Sequence, residues 1–212
     1  MKRFTLLSFL FLMALTINAQ DEKAPIQTVF GNKSGFGGYL GVNTKFSEIN
    51  GQDALFTGGE VAFVINRSFN MGFEGYGMVN HVRSNNLSID SDRLYLQMGY
   101  GGLRLEPVLF SESVIHLTAP VLLGAGGIGE TIRPYWLEED GIIDIDTDLS
   151  YGDSDYFFVA EPGLRLEVNL FKFMRLAGGA SYRFMTDVDL GGVQTQDLKG
   201  FNADLSLRFG WF

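Results

Sequence analysis

The sequence predicts an all-β fold, an eight-stranded antiparallel up-and-down transmembrane β-barrel. Three observations predict it. Long stretches alternate apolar and polar residues with period two. Beyond the N-terminus no apolar run approaches the ~20 residues of a membrane-spanning helix. Cysteine is absent, so the fold must close on hydrogen bonds and packing alone. The clearest alternation is Tyr156–Phe184. Tyr156, Phe158, Ala160, Leu164, Leu166 and Val168 fall on one side, with Phe157, Val159, Glu161, Arg165 and Glu167 on the other. A break at Asn169–Lys172 precedes a second run, Met174, Leu176, Gly178, Ala180, Tyr182 and Phe184 against Arg175, Ala177, Gly179, Ser181 and Arg183. Two such runs joined by a short break form an antiparallel pair, each strand long enough to cross a bilayer at a tilt.

The N-terminus is set aside before the fold is read. Lys2 and Arg3 precede an apolar stretch, Phe4–Ile17, and Asn18-Ala19 supplies a cleavage site. The expected organisation is a signal peptide over residues 1–19, a periplasmic leader over 20–35 and a barrel over 36–212. Loss of the two basic residues takes the formal charge from −9 to −11. So acidic a chain has no electrostatic footprint for nucleic acid.

The remaining strands follow in order. Phe36 to Phe46 alternates, then Ser47–Asp53 reads as a turn. Leu55 to Ile65 forms the second strand, and Asn66–Ser68 a tight break. The third runs from Phe69 to about Val82, ahead of a polar loop, Arg83–Asp92. Strand four starts with Leu94, Leu96, Met98 and Tyr100 on the apolar side. At Gly101-Gly102 its phase flips to Leu103 and Leu105, which predicts a β-bulge. Pro107–Ser113 closes that turn. Strand five sets Ile115, Leu117, Val121 and Leu123 against His116, Thr118, Gly124 and Gly126. The loops Gly127–Asp155 and Thr186–Lys199 bracket the pair already described, and Phe201 to Trp211 is the eighth strand.

The apolar rows are assigned to lipid and the polar rows to the interior. Eight strands enclose a space just wide enough for side chains. The polar rows carry small residues such as Gly41, Gly58, Gly72, Gly99, Gly126 and Gly179, which suit a crowded interior. The connections also alternate between short and long, the habit of outer-membrane barrels with periplasmic turns and extracellular loops. Aromatics gather at strand ends: Phe69, Phe73, Phe171, Phe173, Phe209 and Trp211 near the short turns. Phe46, Phe56, Tyr95, Tyr156, Phe158, Tyr182 and Phe184 lie near the long loops, so two interfacial girdles are expected.

An export signal, eight alternating strands and a terminal Phe212 resemble the small outer-membrane β-barrel proteins, the group of the OmpA membrane domain and OmpX. The likeness is architectural and covers about residues 36–212. It implies the outer membrane of a Gram-negative bacterium, with both termini in the periplasm and a packed charge network inside the barrel. One departure is that the lipid-facing row ends at Trp211, leaving Phe212 one step out of phase.

The polar rows supply the candidate site: Glu60, Glu74, Glu106, Glu161, Glu167 and Asp204, with Lys45, Arg104, Arg165, Arg175, Arg183 and Arg208. Buried charges persist only when paired and hydrogen-bonded, so these read as a lumen charge network. The expected role is structural or surface interaction, as a monomer, with no cofactor and no enzymatic activity. The alternative is a narrow porin-like channel lined by switchable salt bridges. His116-Leu-Thr118 resembles the His-x-Ser of an outer-membrane lipid A deacylase barrel, which would make a lipid-modifying enzyme; a His inside the polar network is the plainer reading. A soluble lipocalin-like carrier would require the apolar rows to face inward. The acidic loop holds Asp144, Asp146 and Asp148 at the oxygen spacing of a calcium loop, but Leu149 stands where its Gly belongs. Expected partners are outer-membrane lipid and, at that loop, an extracellular ligand or divalent cation.

Overall fold

The structure, a computed structural model, describes residues 35–87, 93–131 and 154–212. The expected signal peptide, the expected leader up to residue 34, and Asp144, Asp146 and Asp148 lie outside the described residues. Among the described residues there are ten strands: β1 (Phe36–Ile49), β2 (Gln52–Ile65), β3 (Phe69–Met78), β4 (Val82–Leu87), β5 (Arg93–Leu109), β6 (Ile115–Thr118), β7 (Val121–Thr131), β8 (Ser154–Phe171), β9 (Met174–Met185) and β10 (Gly200–Trp211).

Ten strands make eight staves, because two staves are interrupted. β3 and β4 both pair β5, and β6 and β7 both run between β5 and β8. Pro120 has no N–H for the ladder, which ends β6 before β7 begins; its carbonyl still accepts from Gly163 at 2.8 Å. At the other interruption the Asn80 side chain replaces two rungs. Its Oδ1 accepts from the Leu55 N–H and its Nδ2 donates to the Asp53 carbonyl, both at 2.7 Å. β1 pairs β2 on one side and β10 on the other, from Gly38↔Trp211 to Ser47↔Asn202, so the sheet closes on itself with every pair antiparallel. The fold is an eight-stranded up-and-down transmembrane β-barrel.

Along each stave burial alternates with period two. The outward row forms an apolar belt in which Leu40, Phe63, Leu164 and Phe209 are exposed, although nothing in water would reward it. Connections at one end are short, residues 66–68, 110–114 and 172–173, and Gly35 and Phe212 lie at the same end. The other end carries residues 50–51, 88–92, 132–153 and 186–199. Exposed Phe171, Phe173 and Trp211 stand near the short end, and Phe46, Tyr156, Phe158 and Phe184 near the other.

The structure departs from the sequence reading in four places. The turn expected over Ser47–Asp53 is two residues long: Asn50 and Gly51 take φ of 51° and 68°, the left-handed pair of a type I′ hairpin. β7 extends to Thr131 and β4 reaches into the expected loop 83–92. Phe56, expected in a girdle, is fully buried inside. The fourth difference is the largest. No bulge interrupts β5, whose register against β3 and β7 runs unbroken through Gly101 and Gly102. Leu94, Leu96, Met98 and Tyr100 therefore point inward on the same row as Arg104 and Glu106, and Gly99 points outward. The apparent flip is a change in the chemistry of the lumen, apolar toward the long loops and ionic below, with no change of phase.

That apolar half is packed. Ile49, Phe56, Met78, Leu96, Met98, Leu122, Ile128, Phe157, Val159 and Met185 form one buried cluster. Residues 186–199 fold over it, through a short 3-10 turn at Thr195–Leu198, and insert Val188, Leu190, Val193 and Leu198. Gly126 is required here: a Cβ would lie 2.5 Å from the Tyr100 Cβ and 2.6 Å from the Phe157 Cζ.

The phase of β5 is testable by single cysteines in a chain that has none. Leu96→Cys should resist both water-soluble and lipid-borne thiol reagents in folded, bilayer-inserted protein. Leu103→Cys should react with the lipid-borne reagent; reaction of Leu96→Cys with that reagent as well would restore the bulge.

Candidate functional site: the charged lumen

Below the apolar cluster every stave contributes a polar side chain to one continuous interior network. Arg208 of β10 and Arg104 of β5 are at its centre, both buried. Arg208 donates from Nε to Glu60 Oε1 at 2.9 Å and to the two Glu106 oxygens at 3.0 and 3.2 Å, and it also bonds Glu167. Arg104 forms ion pairs with Glu60 and Glu106, and its Nε lies 3.4 Å from Glu74 Oε2. Two guanidinium groups thus share the carboxylates of β2 and β5. Neutral donors fill the remaining lone pairs: Ser206 donates to Glu60 at 2.6 Å and Asn70 to Glu106 at 2.7 Å. The absence of a side chain at Gly41 makes room for Glu60, whose Cγ would be 2.7 Å from a Cβ there.

Toward the apolar half, Arg165 of β8 joins Glu74 at 3.0 Å and Asp204 at 2.7 Å. Asn43 and the Tyr76 hydroxyl also donate to Glu74. The top layer is built on Glu161. It accepts from Lys45 Nζ at 2.5 Å, from the Tyr100 hydroxyl at 2.8 Å and from Ser181 at 2.6 Å, while Lys45 lies 3.6 Å from the Tyr76 ring centroid. A cation against an aromatic face and a carboxylate closes the network where the lumen turns apolar.

Toward the short-turn end, Arg175 of β9 donates to Glu167 at 2.7 Å. The guanidinium of Arg175 also covers the Phe212 ring at 3.8 Å. Phe212 stacks on Tyr39 at 5.5 Å and packs beside Ala62 and Val64. Its step out of phase puts it on the inward row, where it stoppers the barrel mouth. His116 is buried beside this end, 3.3 Å from Asn169 Nδ2 and with Nδ1 3.8 Å from Glu167.

Of the sequence candidates, Glu60, Glu74, Arg104, Glu106, Glu161, Arg165, Glu167, Arg175, Asp204 and Arg208 meet in this network, with Lys45. Arg183 is joined to it through neutral groups and, among the described residues, makes no ion pair. It lies higher, fully buried, and donates to the Leu198 carbonyl at 2.9 Å, to Ser47 Oγ at 3.1 Å and to Asn202 Oδ1 at 3.3 Å. Sequence reasoning missed Tyr76 and Tyr100. For Tyr76 the signal was its place on the polar row of Glu74; for Tyr100 it was unbroken alternation through Gly101-Gly102, provided that inward residues are allowed to be apolar.

The loop rim is pinned at Asp155, which lies beyond the Tyr156–Phe158 girdle. Its carboxylate accepts from the Asp189 and Tyr156 N–H groups, both at 2.7 Å, and these bonds hold its pKa below the usual carboxylate range. A depressed carboxylate pKa gives a latch at full strength above about pH 4 that weakens as pH falls through the folded value. The protection of the Asp189 amide against hydrogen exchange should fall over that acidic range. In Asp155→Asn it should be low and independent of pH.

Truncating a buried ionic partner leaves its carboxylates uncompensated, at a cost of about 3–5 kcal/mol. Arg208→Met should lower the unfolding free energy in lipid vesicles by that amount, measured by urea titration of tryptophan fluorescence. A loss below about 1 kcal/mol would show that the network contributes little.

No protein-family model matches the chain, and no curated protein matches it in sequence. Solved structures similar to it include Neisserial surface protein A (NspA), 10% identical, covering 84% of this chain and 97% of that one at a TM-score of 0.49. Ail, the attachment invasion locus protein of Yersinia pestis, is 12% identical over 84% of this chain and 99% of its own, TM-score 0.48. The N-terminal β-barrel domain of Pseudomonas aeruginosa OprF is 11% identical over 82% and 97%, TM-score 0.44. These neighbours are small eight-stranded outer-membrane β-barrels.

Proposed function

We propose that the chain is an integral outer-membrane barrel with a closed, charge-paired lumen, acting through the surface formed by its long connections rather than by transport or catalysis. The observation that carries this reading is the ionic network. Arg104 and Arg208 bridge carboxylates from β2, β5 and β8 across the bore, leaving no row of unshared charges along which an ion could move. The apolar cluster and residues 186–199 close one end, and Phe212 narrows the other.

The short-turn end, with both described chain ends, is assigned to the periplasm and the long connections to the exterior of a Gram-negative cell. The acidic segment Glu138–Asp148 is then offered to the medium, where a divalent cation or an extracellular ligand could meet Asp144, Asp146 and Asp148. Catalysis at His116 is disfavoured by its burial at the opposite end, away from outer-leaflet lipid, and Thr118 Oγ1 is buried without a hydrogen bond.

Purified barrel in planar lipid bilayers should show no conductance steps above the bare-membrane background. Steady single-channel currents abolished by charge reversal at Glu161 or Arg165 would establish the narrow channel instead. Protease added to intact cells should cut within residues 132–153 and leave the short turns untouched; cutting at 110–114 would invert the orientation.

A further inference from the structure

We propose that the apolar half of the lumen is a binding site for a single-chain carboxylate amphiphile, a long-chain fatty acid, and that residues 186–199 occupy it in the ligand's absence. The lining is the first argument. A closed barrel can fill its bore with paired charges, as this one does lower down. Its loop-side half instead presents Phe56, Leu96, Met98, Ile128, Phe157 and Met185 inward, each buried. Methionine is unbranched and polarizable, a side chain that reshapes around different apolar contents.

The filler is the second argument. The staves alone do not fill this half. Val188, Leu190, Val193 and Leu198 enter from a connection, not from the wall. The connection is held by bonds at the rim: the Asn50 N–H to the Asp197 carbonyl at 2.9 Å, Asn85 Nδ2 to the Gly192 carbonyl at 3.2 Å, and Asp189 to Asp155. Withdrawing those four side chains would leave a cup at the lower end of ligand-sized pockets, on the order of 300 Å³.

Arg183 gives the chemistry of the head group. Its guanidinium is fully buried at the base of the cup, 5.5 Å from the Phe56 ring and 5.7 Å from the Tyr100 ring. Among the described residues it forms no ion pair; its bonds go to Ser47, Asn202, the Leu198 carbonyl and the Tyr100 hydroxyl, all of them neutral. Buried guanidinium groups ordinarily meet an anion, and carboxylate matches their geometry. Leu198 places a carbonyl oxygen on the cation and an alkyl group in the cluster above it. A fatty acid entering carboxylate first offers the same two groups with a full negative charge. The ionic network below stays closed throughout, so the proposal stands or falls separately from conductance.

The test uses the full barrel in phosphatidylcholine nanodiscs with radiolabelled palmitate, measured against empty discs. Saturable uptake of one palmitate per barrel is expected. In Asp155→Cys/Asp189→Cys the oxidised protein, its connection tied to the rim, should bind at least tenfold more weakly, with binding restored by reduction. Hexadecanol should compete at least tenfold more weakly than palmitate, and Arg183→Gln should erase that difference. The disulfide comparison stands even where Arg183→Gln fails to fold. Uptake equal to that of empty discs, or equal in the oxidised and reduced forms, would overturn the site; equal competition by hexadecanol would overturn the arginine base.

Discussion

Closure of the ring by β1 against β10 is the constraint on which the rest depends. Each rung from Gly38↔Trp211 to Ser47↔Asn202 removes a sheet edge that lipid could not satisfy. Closure with so few staves also makes the bore narrow. Inward side chains then meet counterparts from across the barrel, and most of those described are buried from bulk water. That is why the ends of the sequence determine the middle of the molecule: Arg208 of the last strand completes the coordination of Glu60 in the second. It is also why glycine recurs inside, as at Gly41 beneath Glu60 and Gly126 beside Tyr100 and Phe157.

Within that bore two solutions to the same packing problem are stacked. The lower one pairs Glu60, Glu74, Glu106, Glu161, Glu167 and Asp204 with Lys45, Arg104, Arg165, Arg175 and Arg208, and adds neutral donors on four of these acids from Ser206, Asn70, Ser181 and tyrosine hydroxyls. The upper one is hydrophobic and borrows part of its filling from residues 186–199. The two differ in how readily they open. The ionic layers are cross-braced between staves that are themselves laddered on both sides, so no part can leave alone. The upper filling hangs on a few hydrogen bonds at the solvated rim, and segments held in that way occupy the low end of the local stability range.

Much of this was legible in the sequence. Period-two alternation placed all eight staves, and the short turns at 66–68 and around Asn169–Lys172 fell where the chain reverses. The inward acids and bases were legible for the same reason, since a charged residue on a lipid-facing row would be costly. What failed was an inference from chemistry to direction. Leu94, Leu96, Met98 and Tyr100 were assigned outward because they are apolar, although the pleat carries them on one row with Arg104 and Glu106. Phe56 failed in the same way. Alternation gives the two faces of a strand, and polarity labels them only while the interior is uniformly polar. Asn50-Gly51 did carry a hairpin signal, obscured by the polar residues around it, and the inward turn of Phe212 follows from counting one step past Trp211. Arg183 could not be separated from the other bases by sequence, because its isolation depends on where residues 186–199 fold.

The ionic layers matter more for register than for raw stability. Buried ion pairs recover their desolvation cost only when well bonded, and an apolar filling of equal volume can be as stable or more so. The upper half shows that this chain can build one. What an apolar filling cannot do is penalise a slipped strand, since leucine is tolerated on either face. A slip of one residue in β5 would turn Arg104 and Glu106 into the hydrocarbon, and an arginine at mid-bilayer costs about 2–4 kcal/mol. The same slip in β8 would expose Glu161, Arg165 and Glu167 together, and in β10 Asp204 and Arg208. Every stave but the one made of β6 and β7 carries a charged inward residue in the ionic layers, so the ring closes in the one register that brings all of them inside. The apolar half can then be spared that duty, which leaves its contents free to be exchanged.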